Sequence, residues 1–455
     1  MDASDAPAGD PAKGSAEALA ALLDSRAATI GICGMGYVGL PLAMAAWDAG
    51  FSVLAFDTDP DKISKLSAGD SYLKHIAPET LKTMAGDARF APTGDFDRLA
   101  ECDVIAMCVP TPLGAHGEPD LSYVERTCES IAARLRPGQL VILESTTYPG
   151  TTSQIVARIL QSAGLTQNAD YFVAYSPERE DPGNADFTTR KMPKIVGGMG
   201  EQARDLAAQF YGAFVDRVVP VASAEIAEAA KISENIFRAV NIALVNELKV
   251  IYDAMGIDVW EVIEAAKTKP FGYMPFYPGP GLGGHCIPID PFYLTWKARE
   301  FGVRTRFIEL AGEINRSMPL YVLERSAEAL DRASGKGLSR AHILLIGMAY
   351  KPNVEDMRES PALEITERFE ARGARVDFHD PWVPVIPKTR EHMELAGRRS
   401  VALSADALEG YDLVVVVTDH RDVDYALIAQ HAKLIVDTRN AFGKLGIVGA
   451  HISKA

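Results

Sequence analysis

Short apolar runs recur along the chain, and each ends in glycine, proline or polar residues. The first run starts at Thr29 and passes through a glycine turn into a helix of small and apolar residues, after which a second strand ends at Asp57. Further runs lie within 102–112, 138–152 and 171–180. Continuous apolar runs of this kind are typical of strands in a parallel sheet covered on both faces. The pattern therefore predicts an α/β fold.

The first glycine turn carries a GxGxxG motif, formed by Gly34, Gly36 and Gly39. Glycines at this spacing allow a tight turn, a close approach of the backbone to a pyrophosphate and close packing of the helix. The carboxylate of Asp57, at the end of the second strand, can accept from a ribose 2′-hydroxyl and would repel a 2′-phosphate. These residues predict a site for NAD rather than NADP. The alternative is a βαβ unit with incidental glycines.

Three polar residues follow the apolar runs at places where strands are predicted to end: Thr111, Thr146 and Glu178. Ligands of open α/β sheets bind beyond the carboxyl ends of the strands, so we expect these residues at one crevice. Burial there would raise the pKa of Glu178 into the range of a general base. An exposed glutamate that caps the next helix is the alternative.

A helical period extends from about Ala222 to Met255 and is closed by Gly256. A helix of this length can bridge two domains. Lys231 and Asn235 are four positions apart, so they project from one face. That face is either solvated or an oxyanion site in which a cation and an amide address the same oxygen. The apolar positions of the period are Ile226, Ala230, Phe237, Val240, Leu244, Leu248, Ile251 and Met255.

A second α/β unit starts near Ser339, with Ser360 and Pro361 as the predicted N-cap and first residue of a helix. It has no GxGxxG motif, so a mononucleotide or another phosphate ligand is a better fit than a second dinucleotide. Its strand-end loops carry the basic residues Lys351, Arg358 and Arg439. The chain as a whole is predicted to form two Rossmann-like, doubly wound domains joined by a long central helix.

One cysteine, Cys286, lies in the segment GPGLGGHCIPIDP at 279–291, among four glycines and three prolines. Glycine allows a ligand to approach the backbone and proline fixes the turn, so this segment predicts a site. The other cysteines, Cys33, Cys102, Cys108 and Cys128, lie in apolar or helical contexts and are predicted to be buried thiols. There is no CxxC motif, so neither zinc nor a disulfide framework is expected. A catalytic pair with the adjacent His285 is also not expected, since neighbouring residues of an extended segment point to opposite sides.

The formal net charge of -15 argues against nucleic acid and anionic membranes as partners. Residues 1–25 have no basic region leading into an apolar one, and no segment approaches the length of a membrane span. We therefore expect a cytoplasmic protein with a disordered acidic tail at 1–25.

Six motifs together resemble those of the UDP-glucose/GDP-mannose dehydrogenases. They are GMGYVGLP, ESTTYPGTT, SPERE, AEAAKISEN, GLGGHCIPID and GMAYKPNVEDMRESP, which occur in this order between about Thr29 and Asn440. The resemblance implies that a nucleotide sugar is oxidised at C6 from alcohol to carboxylate with two NAD, to supply precursors of surface polysaccharides. It also implies a homodimer, or a higher homo-oligomer, formed through the central helices.

The resemblance also implies domains and site residues. The domains are an NAD-binding domain at 26–215, a central helical domain with the cysteine loop at 216–325 and a UDP-sugar-binding domain at 326–455. The implied catalytic residues are Cys286 as the nucleophile, Lys231, Asn235, Glu178, Asp290 and Thr146. The implied NAD contacts are Gly34, Gly36, Tyr37, Val38, Gly39, Asp57, Lys62, Pro110, Thr111, Thr146 and Arg358. The implied substrate contacts are Glu178, Arg179, Lys231, Asn235, Tyr277, Gly283, Tyr350, Lys351 and Arg439.

The sugar is predicted from resemblance alone. Ile289 and Arg179 occupy positions where UDP-glucose dehydrogenases typically carry a lysine and an aromatic residue. The surrounding motifs are most similar to the branch acting on UDP-N-acetylglucosamine, followed by enzymes for UDP-N-acetylgalactosamine or UDP-N-acetylmannosamine. Two other classes stay open: a two-electron dehydrogenase, which has no use for Cys286, and an NAD-binding sensor without catalysis.

Overall fold

The protein is described from a computed structural model that covers residues 11–73, 76–114, 117–179, 189–284, 287–389 and 391–455. The chain divides into two compact units. The first contains the residues up to Glu234 together with Trp296–Phe301, and the second contains Asn235–Thr295 and Gly302–Ala455. None of the described helices is long and apolar enough to cross a bilayer.

The first unit is built on an eight-stranded sheet in the order β3-β2-β1-β4-β5-β6-β7-β8. All neighbouring strands are parallel except β6 and β7, which are antiparallel. The runs predicted as buried strands are confirmed, since β4, β5 and β6 are buried along their whole length. The strands are β1 Thr29–Cys33, β2 Ser52–Phe56, β3 Phe90–Thr93, β4 Val104–Met107, β5 Gln139–Leu143, β6 Tyr171–Tyr175, β7 Lys194–Gly198 and β8 Val218–Val221.

Helices cover this sheet and share its hydrophobic core. The core contains Leu40 from the helix after the first glycine turn and Phe210 from the helix between β7 and β8. A single π-helical turn at Thr152–Val156 precedes α6. The helices are α1 Pro11–Asp24, α2 Gly39–Asp48, α3 Pro60–Ala68, α4 Pro78–Ala85, α5 Ser122–Ala132, α6 Ala157–Leu160 and α7 Glu201–Gly212.

The prediction of a disordered tail at 1–25 is wrong for residues 11–24, which form α1. Leu19 and Leu23 are almost fully buried in the core of the first unit. The side-chain amide of Gln209 on α7 donates to the Ala20 carbonyl at 3.0 Å and to Asp24 at 2.6 Å. The apolar face of α1 is buried against α7, and this burial stabilises α1 although its composition suggested a solvated tail.

The long central helix is confirmed as α8, Ala224–Ala254, close to the predicted 222–255. The first unit contains its residues up to Glu234, and the second unit contains the rest. Part of its apolar period is not buried in the chain: Phe237, Leu244 and Ile251 are each about half exposed. The helices that follow are α9 Val259–Ala266, α10 Asp290–Glu300 and α11 Arg306–Ser334.

The second unit ends in a five-stranded parallel sheet in the order β10-β9-β11-β12-β13. The side chain of Ser360 caps the helix that begins at Pro361, as predicted. The predicted class, two Rossmann-like domains with a long central helix, is confirmed. The strands are β9 His342–Ile346, β10 Arg375–His379, β11 Leu413–Val416, β12 Ile435–Asp437 and β13 Ile452–Lys454, and the helices are α12 Pro361–Ala371, α13 Ala405–Glu409, α14 Tyr425–His431 and α15 Ala441–Lys444.

Candidate active site

The three glycines of the first turn differ in what surrounds them. A Cβ at Gly34 would lie 2.7 Å from the carbonyl oxygen of Cys108, and a Cβ at Gly39 would lie 1.8 Å from that of Gly34. A Cβ at Gly36 would meet nothing within 4 Å. Gly34 and Gly39 are therefore needed for the turn itself, whereas Gly36 leaves open space in front of α2, where a pyrophosphate would face the helix N-terminus.

Asp57 lies just beyond β2, and its carboxylate is buried beside this turn. One oxygen accepts from the Met35 amide at 2.8 Å and from Lys62 Nζ at 3.0 Å, and the other accepts from the Asp59 amide at 2.9 Å. A carboxylate has about four acceptor positions, so one remains for a ribose hydroxyl. Lys62 therefore forms an ion pair with Asp57. The residues present fit the ribose of NAD.

The ends of β4 and β5 lie together, as predicted. The buried Thr111 donates its hydroxyl to the Thr146 carbonyl at 2.7 Å, while the neighbouring Pro110 is exposed. Val38 precedes the first residue of α2 and lies next to Tyr37 in the glycine turn. The predicted NAD contacts of the first unit are therefore all at the carboxyl edge of its sheet.

Glu178 follows β6 at the same edge and lies 3.7 Å from the buried ammonium of Lys194. Its other oxygen accepts from the Arg179 amide at 2.6 Å. The Arg179 guanidinium is paired with both carboxylate oxygens of Glu234, at 2.6 and 3.2 Å, and donates to the Pro193 carbonyl. Arg179 therefore stabilises the segment after β6 in addition to its predicted role with substrate.

Lys231 on α8 is almost fully buried, with 5% of its surface exposed. Among the described residues, it forms no hydrogen bond or ion pair. Its position inside the fold makes Lys231 suited to donate to an oxygen of a bound ligand. Of the two predicted environments for this helix face, the solvated one is wrong at Lys231.

Asn235, one turn further along α8, is completely buried. Its amide nitrogen donates to Asp290 at 2.5 Å, and its amide oxygen accepts from Arg238. Asp290, at the start of α10, is also completely buried. Two of the implied catalytic residues, Asn235 and Asp290, are thus in direct contact, and Arg238 is a neighbour that the sequence did not indicate. Within the described parts of the chain, the second N–H of this amide has no acceptor and can donate to a ligand.

The glycines of the cysteine loop lie against predicted substrate residues within the second unit. A Cβ at Gly279 would lie 2.4 Å from Nη1 of Arg439, and at Gly283 it would lie 2.6 Å from Cβ of Tyr350. Gly284 has a φ of +82°, and a Cβ there would lie 2.8 Å from the Tyr350 ring. Larger residues would displace these side chains, which explains the bare backbone. Cys286 itself, like His285, is outside the described residues.

The remaining predicted residues lie in the second unit. Lys351 Nζ lies 5.8 Å from the ring centre of Tyr350, and Arg439 donates to the Val417 carbonyl at 2.9 Å. Arg358, predicted to bind NAD, is paired with both oxygens of Asp356. Tyr277 stacks on a tryptophan ring, and its hydroxyl donates to Glu264 at 2.7 Å.

The sequence analysis also missed Glu228, which is completely buried on α8, one turn before Lys231. Its carboxylate accepts from the amides of Gly150 and Thr152 at 2.6 and 2.8 Å and from the Thr152 hydroxyl at 2.7 Å. It thereby anchors the loop that carries Thr146 to the helix that carries Lys231. Burial raises the pKa of Glu228 to about 7, against the effect of these hydrogen bonds. The spacing of three residues from Lys231 was the available signal.

We expect Glu228→Gln to change how stability depends on pH. The folded state binds the proton of Glu228 more tightly than the unfolded state. The contribution of protonated Glu228 to the free energy of unfolding is therefore fully present below about pH 4.5 and is lost as pH rises through about 7. The loss amounts to at most about 3 kcal/mol. The difference in unfolding free energy between the variant and the wild type should therefore shift in favour of the variant between pH 4.5 and 7, as measured by denaturant titration.

Glu225→Gln is the matched control on the same helix. Burial acts against the charge of Glu225, but hydrogen bonds with Ser153 and Ser223 lower its pKa below the ordinary value. The stability contributed by the Glu225 carboxylate is therefore present above about pH 4.5 and is lost only below it, so the difference between Glu225→Gln and the wild type should stay constant between pH 4.5 and 7. Parallel pH profiles for wild type and Glu228→Gln would contradict the assignment of a raised pKa to Glu228.

Three sequence profiles match along the chain. They are those of the UDP-glucose/GDP-mannose dehydrogenase family, namely its NAD binding domain at 28–215, its central domain at 225–317 and its UDP binding domain at 344–444. The chain belongs to the UDP-glucose/GDP-mannose dehydrogenase family. It is an NAD-dependent oxidoreductase of this family, and its N-terminal domain binds NAD.

Similar proteins within the UDP-glucose/GDP-mannose dehydrogenase family differ in their sugar. A UDP-N-acetyl-D-mannosamine dehydrogenase of Pyrococcus horikoshii is 36% identical, over 90% of this chain and 95% of its own. A UDP-N-acetyl-D-glucosamine 6-dehydrogenase of Pseudomonas aeruginosa is 37% identical, over 80% and 85%. The solved structure of a UDP-D-ManNAc dehydrogenase from Pyrococcus horikoshii has a TM-score of 0.83 at 34% identity, over 94% of this chain and 98% of its own.

Proposed function

We propose that the enzyme oxidises a UDP-N-acetylhexosamine at C6 from alcohol to carboxylate, with UDP-N-acetylglucosamine as the first candidate. The observation that carries this proposal is the burial of Lys231 and, one turn further along α8, of Asn235. A cation and an amide at this spacing suit an oxygen that becomes negatively charged during the reaction.

Each proposed catalytic residue has a chemical task. The hydroxyl proton at C6 passes to a water or base held by Glu178 and Thr146, and an aldehyde forms. The Cys286 thiolate then adds to the aldehyde carbon, and the oxyanion of the resulting thiohemiacetal is stabilised by Lys231 and Asn235. NAD, when bound, accepts the hydrides that leave C6.

The acid is released by hydrolysis. After the second hydride has left, the sugar is bound to Cys286 as a thioester, and water attacks its carbonyl carbon. Glu178 or Asp290 takes a proton from that water, the carbon–sulfur bond breaks, and the thiol is restored. Asp290 is held for this purpose by its 2.5 Å contact with Asn235.

The nucleotide part of the substrate is assigned to the second unit. Lys351 and Arg439 supply positive charge for a diphosphate, and Tyr350 supplies an aromatic face beside the glycines at 283 and 284. The match of 344–444 to the UDP binding domain supports this assignment. We also assign Arg358 to NAD, and Arg179, Gly283 and Tyr277 to the sugar nucleotide.

UDP-N-acetylmannosamine is the second candidate sugar. It is supported by the 36% identical relative, which matches more of the chain than the 37% identical relative that acts on UDP-N-acetyl-D-glucosamine. Both sugars carry an acetamido group at C2 and differ in its orientation. UDP-N-acetylgalactosamine and UDP-glucose follow.

The test counts NADH formed per sugar consumed across these four UDP-sugars. We expect two NADH per sugar and the highest kcat/KM with UDP-N-acetylglucosamine. One NADH per sugar would indicate a two-electron dehydrogenase, and NAD binding without turnover would indicate a sensor. A preference for UDP-glucose would contradict the assignment to acetamido sugars.

We further propose a homodimer formed through α8 and a cytoplasmic location, where NAD and UDP-sugars are available. The exposed apolar residues Phe237, Leu244 and Ile251 are seven positions apart on α8 and form one stripe. A second copy of the same helix would cover this stripe. Sedimentation at the monomer mass of 49.1 kDa would contradict the dimer.

A further inference from the structure

A buried lysine, Lys194, lies beside Glu178 and has no task in the reaction described above. Lys194 is the first residue of β7, which runs antiparallel to β6 with Tyr175 opposite Gly197. Continuing this register beyond the paired residues sets Glu178 opposite Lys194. Because β7 is reversed, its first residue lies at the same edge of the sheet as the carboxyl ends of β5 and β6.

Two other buried side chains fix the Lys194 ammonium. Its Nζ lies 2.6 Å from Oε2 of Glu144, which follows β5 and is almost fully buried. The hydroxyl of Tyr211 on α7 donates to the other oxygen of Glu144, and the ammonium lies 5.0 Å from the centre of the Tyr211 ring. Strand β7, the end of β5 and the covering helix α7 therefore hold one positive charge in place.

The charge of Lys194 is shared between two carboxylates. Its Nζ lies 3.7 Å from Oε2 of Glu178, in addition to the contact with Glu144. Burial opposes the charge, yet the two carboxylates raise the pKa of Lys194 above its ordinary value. Neutralising Glu144 alone would not require Lys194 to lie close to Glu178 as well, so the second contact indicates a role toward Glu178.

We propose that Lys194 is a positioning residue for Glu178: held by Glu144 and Tyr211, its ammonium holds the Glu178 carboxylate in place and orients it for its task with water. This inference rests on the proposed function, in which Glu178 acts as a base. It predicts that the effect of Lys194 on turnover depends on the carboxylate of Glu178.

The test begins from Glu144→Gln, because Lys194→Met alone would leave Glu144 buried without its counter-charge. The glutamine keeps an acceptor for Tyr211 and removes the need for neutralisation. In this background, adding Lys194→Met should lower kcat by roughly 10- to 100-fold, because Glu178 loses the fixed positive charge that lies 3.7 Å from its Oε2. The Kd for NAD, measured by calorimetry, should change less than about 3-fold and serves as the check on folding. If the Met variant does not bind NAD, Lys194→Gln takes its place.

A third substitution shows whether Lys194 acts through Glu178. In Glu144→Gln/Glu178→Gln, where the carboxylate is absent, adding Lys194→Met should change kcat by less than about 3-fold. An equal loss of kcat in both backgrounds, or no loss in the first, would overturn the inference alone. Wild-type kcat in Glu178→Gln would overturn the proposed role of Glu178 and the inference with it.

Discussion

Cys286→Ser should abolish formation of the uronic acid while binding of NAD and UDP-sugar persists. A serine hydroxyl fills nearly the same space as the thiol, but it is far less acidic, and an ester formed through it would be hydrolysed slowly. Removal of a catalytic nucleophile costs on the order of 10⁴-fold or more in kcat. The measurement is acid formation at saturating NAD and sugar, together with the mass of the intact protein, which should increase if an ester accumulates.

Cys128→Ala is the matched control. Cys128 is buried in α5, and burial raises its pKa to about 12, so it remains a thiol at neutral pH. Its variant should keep kcat within a few-fold of wild type. Acid formation by Cys286→Ser at a rate close to that of wild type would exclude the thioester, and the glycines at 279–284 would then serve only the packing of Tyr350 and Arg439.

The dinucleotide turn was predictable because its requirements are local. Gly34 and Gly39 are required by backbone contacts within or directly beside the turn, and Asp57 ends the adjacent strand. Strand burial was predictable for the same reason, since a parallel strand covered on both faces has a continuous apolar sequence. The fold class follows from such units repeated along the chain.

Residues that act through distant partners could not be predicted in this way. Lys194 meets Glu144 and Glu178 only because β7 reverses direction in an otherwise parallel sheet, and its own sequence context gives no sign of that reversal. Glu228 carried a local signal in its spacing from Lys231, but its partners, Gly150 and Thr152, lie more than 70 positions earlier in the chain.

Composition predicted the wrong structure at the N-terminus. Alanine, glycine and acidic residues suggested a solvated tail, whereas Leu19 and Leu23 supply an apolar face for α1. On α8 the apolar period alone would suggest that Phe237, Leu244 and Ile251 are buried. Each of these side chains is instead about half exposed in its own chain. Periodicity indicates that a face is to be covered, but not whether the same chain covers it.

Lys231→Ala should lower kcat by on the order of 10²- to 10³-fold and change KM for the UDP-sugar much less. The reason is that, in the proposed mechanism, the buried Lys231 donates to an oxygen that gains charge in the transition state. The measurement is steady-state kinetics on each of the two acetamido sugars, with NAD affinity as a check on folding.

Lys249→Met separates this effect from the loss of any buried lysine on α8. Lys249 is equally buried, but its Nζ lies 3.5 Å from Asp253, and burial lowers its pKa despite that carboxylate. Its charge already has a partner in the fold, so its removal should reduce stability and leave kcat within a few-fold of wild type. If Lys231→Ala instead raises KM and leaves kcat unchanged, Lys231 binds substrate and transition state equally, and the oxyanion must be stabilised by other groups.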